Sequence, residues 1–168
     1  MNELMLPLWR ADAEVGGPKD LPDDLQDLVE SGWRTGPAGA LVLTGCYGEG
    51  AGWRDDWQAE TISQHELEVN DVAIPCDDLS KERDLFLRGA VARSRAFVGA
   101  AFRAARALPA SEFLVAVVSV GVDEGYLTHG ATVKFATRRG GFPAFYEDLE
   151  RFQDEAMAMI DAHEHVDK

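Results

Sequence analysis

Between Asp78 and Leu108 the residues Leu87, Val91, Ser94, Val98, Ala101, Ala105 and Leu108 recur at alternating steps of four and three. That period places them on one stripe of a long helix, and Pro109, which has no N–H to donate, ends it. The next apolar run, FLVAVVSVGV from Phe113 to Val122, is rich in β-branched residues and reads as a buried strand. Asp123-Glu124-Gly125 supplies a turn, and Val133 and Phe135 then alternate with Thr132 and Lys134 as the returning strand of a hairpin. A long helix beside a hairpin defines two layers, and the rest of the chain must fit around them.

The flanking segments extend this frame. Met1 to Arg10 reads as a short strand that Pro7 confines to an edge. Ala11 to Asp20, with Gly16-Gly17-Pro18, reads as a loop. Leu21 to Ser31 carries Leu21, Leu25, Leu28 and Val29 on one face and is a short amphipathic helix closed by Gly32. Ala38 to Thr44 is a buried strand bounded by glycines. Between Gln58 and Ile74 the alternation of Leu67, Val69, Asp71 and Ala73 with Glu66, Glu68 and Asn70 predicts one or two strands. Gly140-Gly141 breaks the sheet, and Pro143 opens a last helix with Phe145, Leu149, Phe152, Ala156 and Ile160 on one face. The expectation is one α+β domain over residues 1–168: an antiparallel sheet of about five strands, with the long central helix and the C-terminal helix packed on one face. This element order resembles that of the small acidic chaperones of bacterial secretion systems, a likeness of fold without a shared motif.

Charge narrows the function classes. Thirty Asp and Glu face sixteen Lys and Arg, a formal charge of −14. Such a field repels nucleic acid and anionic lipid and favours a basic partner. No window approaches 18 consecutive apolar residues, so no membrane contact is expected. The N-terminus MNELMLPLWR lacks the pattern of a secretory signal, which points to the cytoplasm. Two cysteines, Cys46 and Cys76, are too few for a disulfide framework.

The stretch LTGCYGEGAGWRDDW, Leu43 to Trp57, looks most like a site. Its GEGAG, Gly48 to Gly52, suggests a phosphate loop, but carboxylates and a single Arg follow instead of a helix and a lysine. Cys46 has no neighbouring base in sequence to make it a nucleophile. What remains is recognition. Tyr47, Trp53 and Trp57 are interface-anchor types, and Glu49, Asp55 and Asp56 around them suit a basic protein.

Other constellations are weaker. Cys46, His65, Cys76, Asp77, Asp78 and His129 include no close ligand pair, so neither a metal nor another cofactor is expected. The acidic pairs Asp77-Asp78 and Glu147-Asp148 suit helix N-termini. On the long helix Arg88, Arg95, Arg103 and Arg106 fall within an arc of roughly 80°, with Arg93 apart. This basic stripe either pairs with acids of the last helix or faces an acidic ligand or a second copy. The leading expectation is a non-enzymatic acidic protein that neutralises or escorts a basic partner, in the manner of an immunity protein or effector chaperone. A small-molecule-binding protein or enzyme, with a pocket between sheet and long helix, is the first alternative. A structural subunit, for instance of a phage particle, is the second; a homodimer is compatible with either.

Overall fold

A computed structural model describes residues 1–15, 21–46, 53–140 and 142–165. The chain is α+β. Its order is α1 (Met5–Val15), α2 (Asp23–Ser31), β1 (Trp33–Thr35), β2 (Leu41–Leu43), α3 (Ala59–Val69), β3 (Asp71–Ile74), α4 (Arg83–Ala105), β4 (Leu114–Gly121), α5 (Tyr126–His129), β5 (Ala131–Thr137) and β6 (Glu155–Asp161). β1 and β2 form a two-stranded antiparallel sheet, and the other four strands form a second antiparallel sheet in the order β3-β5-β4-β6.

The helix at 78–108 forms as α4, and Leu87, Val91, Ser94, Val98, Ala101 and Ala105 are all buried. They meet the inward residues Ala116, Val118 and Val120 of β4 and Val133 and Phe135 of β5. Phe135 is the centre of this layer, with Trp33, Phe97 and Phe102 edge-on at 5.3, 5.7 and 5.9 Å. These side chains pack between the sheet and α4. α1 and α2 pack beside α4, and α2 ends as expected at Gly32, which adopts φ 70.

Three expectations are corrected. The N-terminal segment is helix, not an edge strand: Asn2 Oδ1 accepts the Met5 N–H at 3.1 Å, and Pro7 falls in the first turn, where a missing N–H costs nothing. The helix runs through to Val15, so only residues 16–20 of the expected loop lie outside the described residues.

Residues 59–69 are helix α3, and only β3 is strand. The buried positions Ile62, Ser63, Glu66, Leu67 and Asn70 do have helical spacing, but three of them are polar and hide the stripe.

The expected C-terminal helix is replaced by two 3₁₀ turns, Ala144–Tyr146 and Leu149–Arg151, and the edge strand β6. EAMAMI is made of good helix formers. It also alternates, and pairing with β4 puts Ala156 and Ala158 in the α4 core and Met157 on the opposite face. Asn2 stabilises that edge by exchanging two bonds of 2.9 Å with the Met157 backbone. The five-stranded sheet with both helices on one face is thus a four-stranded and a two-stranded sheet. α4 lies on one face of the larger sheet, and α3 and the 142–152 segment cover part of the other.

Candidate functional site

Of the recognition residues in the 43–57 stretch, Tyr47 and Glu49 lie outside the described residues, as does the glycine run from Gly48 to Gly52. Trp53 and Trp57 close around His65 of α3, with ring centroids 4.6 and 4.8 Å from the imidazole and 5.6 Å from each other. Both indoles are half-buried, and His65 Nδ1 lies 3.3 Å from Glu68 Oε2. Asp55 and Asp56 are exposed, and Asp56 takes the Arg54 guanidinium in a two-pronged pair at 2.9 and 2.7 Å.

The other candidates are dispersed. Cys46 follows β2, and burial, with the Asp71 charge second, pushes its thiol up. Burial also raises Cys76. Among the described residues no three His, Cys, Asp or Glu side chains are grouped to hold a metal. His65 stays with its tryptophans, and His129 sits on the β4–β5 connection, with Nδ1 2.9 Å from Asp123 Oδ1.

The arginines of α4 divide as their spacing suggests. Arg88, Arg103 and Arg106 are exposed, and among the described residues no ion pair engages them. Arg95 lies over the Trp9 ring at 4.4 Å. Arg93, outside the stripe, is buried and grips Asp78 at 2.7 Å through both terminal nitrogens. Asp78 therefore serves this pair and not a helix N-terminus, since α4 begins only at Arg83. Asp148 does cap a turn, accepting the Glu150 N–H.

Two polar arrangements were not visible in the sequence. The first is structural. Glu66, fully buried, accepts the N–H of Leu41 at 2.7 Å on one oxygen, and the N–H and hydroxyl of Thr137 at 2.6 and 2.7 Å on the other. Burial pushes its carboxyl above the ordinary range, while these donors and the Arg139 guanidinium at 3.4 Å pull against it. One turn on, Asn70 accepts from Leu43 N at 2.8 Å and donates to Leu41 O and Phe135 O. α3 thereby fastens the small sheet to the large one.

The second is a trough. Strand register sets Asp71, Lys134 and Val117 in one row across the sheet, and Ala73, Thr132, Ser119 and Met157 in the next. All of these side chains lie on the face away from α4. There a hollow of ≈ 530 Å³ is lined by Asp71, Asp123, His129, Lys134, Asp154 and Glu155 around Ser119, Gly121, Gly130 and Thr132. A narrower hollow of ≈ 210 Å³ shares Ser119, Thr132, Lys134 and Glu155 with it and adds Val117, Tyr146, Phe152 and Met157.

Its polar groups are held in place. Lys134 Nζ is 2.9 Å from Asp71 Oδ2. Burial alone would lower this ammonium, but the Asp71 hydrogen bond and charge hold it above the ordinary lysine value. Ser119 Oγ donates to Glu155 Oε2. His129 leans on Gly121, where a Cβ would fall 2.5 Å from the His129 Cβ, so only glycine admits this approach. A signal existed in the small residues Ser119, Gly121, Gly130 and Thr132, but without the register nothing joined them to Glu155.

No protein-family model matches the chain, and neither a curated protein nor a solved structure matches it significantly. Its fold and trough must therefore speak for function.

Proposed function

We propose that the protein is an acidic, non-enzymatic binding module that neutralises or escorts a basic protein partner, of the immunity-protein or effector-chaperone kind. One observation carries this reading: four carboxylates, Asp71, Asp123, Asp154 and Glu155, line the trough on the open sheet face against Lys134 and His129. The formal charge of −14 reinforces the local field and speeds encounter with a cationic surface. Exposed Asp55 beside the Trp53–His65–Trp57 cluster is a second place for contact. Affinity purification from the host, with co-expression of neighbouring gene products, tests the reading. Recovery of a basic protein whose binding weakens with salt supports it, and failure to recover one refutes it.

A small-molecule ligand is the second reading. It is favoured by the narrow end of the trough, where Tyr146, Phe152 and Met157 add apolar wall to polar groups. A metabolite that raises the melting temperature, with no protein partner found, would select it.

A further inference from the structure

The large sheet has one face filled by α4 and the other only partly covered. On the second face, Leu67 of α3 with Tyr146 and Leu149 closes over Ala136, Val117 and Met157. Toward Gly121 and Gly130 the neighbouring half of that face opens into the ≈ 530 Å³ hollow, with His129 set against Gly121 at its margin. An uncovered half-sheet is usually solvated by long polar side chains standing outward from its strands. Here Ser119, Gly121 and Thr132 make a shallow floor instead, and the long side chains stand at the margins.

We infer that this half-face is where the basic partner docks, and that the partner lays an arginine side chain along the trough. The inference rests on the basic-partner reading and adds the place and the chemistry of contact.

Charge complementarity decides the sign of the occupant. Lys134 and Asp71 neutralise one another at 2.9 Å. Of the remaining lining, Asp123, Asp154 and Glu155 are acidic, and the one further group able to carry positive charge is His129, which faces Asp123. The trough is thus a net acceptor of cations. Ser119 spends its proton on Glu155 and keeps its lone pairs as acceptors, and Thr132 adds a second hydroxyl.

The walls select arginine over lysine. Tyr146 and Phe152 stack at 6.2 Å with only 21° between their planes, and both line the narrow end together with Glu155. A guanidinium is planar, lies on aromatic faces and donates through a rigid fork to carboxylates, whereas an ammonium is a compact, strongly hydrated point charge.

Other surfaces fit a basic partner less well. Trp53 and Trp57 are already occupied by His65. The exposed Arg88 and Arg103 of α4, with Arg106 at its C-cap, lie on the far side of the sheet, so a cationic partner at the trough avoids them.

The test is an amide-resolved NMR titration of the intact chain with the peptide acetyl-Gly-Arg-Gly-amide. The same peptide with citrulline, a neutral near-isostere, is one control, and the lysine peptide is the other. The expected result is saturable shifts confined to residues 119–123, 129–134 and 154–157. The citrulline peptide should bind about tenfold more weakly, which corresponds to loss of a charge-assisted pair, and the lysine peptide should fall between the two. Glu155→Gln and Asp154→Asn should each weaken the arginine peptide, while Asp24→Asn, at an exposed position on α2, should not. Shifts centred on Trp53 and Trp57, or spread evenly over acidic surfaces, would overturn the trough as docking site and leave the basic-partner reading standing. So would an arginine peptide that does not bind while a basic protein does. If neither binds, both fail.

Discussion

The Glu66 carboxylate accepts the Thr137 N–H at 2.6 Å, and its other oxygen accepts the Leu41 N–H at 2.7 Å. One buried side chain on α3 thereby joins the end of β5 to the start of β2. Both oxygens act as acceptors, and Thr137 Oγ1 donates as well as its backbone. An amide has one acceptor atom and cannot replace them both.

Glu66→Gln is therefore expected to destabilise the chain by about 1–3 kcal/mol, the cost of leaving a buried donor unmet. Urea unfolding measures it. A change within the noise would mean that the two sheets are not held through this residue.

Gly121→Ala tests the packing behind the trough. The added Cβ would meet the His129 Cβ at 2.5 Å, so the α5 turn has to move. A loss of about 1–3 kcal/mol is expected for such overpacking, with amide shifts at Asp123 and His129. An unchanged spectrum at those residues would show that His129 is not seated there.

The thiols make a chemical test. Burial raises both Cys46 and Cys76, so each stays protonated in the folded chain at a pH where an unfolded cysteine has begun to ionise. Iodoacetamide at alkaline pH should modify the native protein more slowly than the urea-unfolded protein. Raised thiol pKa values contribute stability that is fully present below the unfolded thiol pKa and is lost as pH rises from there through the higher folded pKa.

Acid acts through a different pair. The Arg93 guanidinium holds the Asp78 carboxyl below the usual range. A depressed carboxyl contributes stability above its unfolded pKa and loses it as pH falls through its folded pKa. Asp78→Asn should reduce stability at neutral pH and shrink the loss on acidification below the ordinary Asp range. The effect should be modest, because the Asp78 side chain is 68% exposed and solvent screens it. An acid limb identical to that of the parent would exclude the pair as its source.

How far the fold was legible depended on where burial was apolar. α4, β4 and β5 announced themselves because Val91, Val98, Val118 and Phe135 carry the period of their elements without interruption. α3 did not, since Ser63 and Glu66 on its inward face and Asn70 at its C-cap are polar and reach residues 25 or more positions away. β6 was hidden by composition: Ala and Met favour helices, and only pairing with β4 makes strand the better state. The trough draws on four strands and two loops, so its members become neighbours only once register is fixed. The 43–57 stretch stood out because glycine, cysteine and tryptophan are conspicuous together, yet Trp53 and Trp57 lie against His65.

The most direct measurement is the affinity of the co-purified partner as a function of salt, by calorimetry, with the parent chain and with Glu155→Gln. A basic partner that binds one to one should weaken steadily as salt screens the acidic face, and should bind Glu155→Gln more weakly at low salt. A partner whose affinity is indifferent to salt and to Glu155→Gln, or the recovery of an acidic partner, would contradict the account.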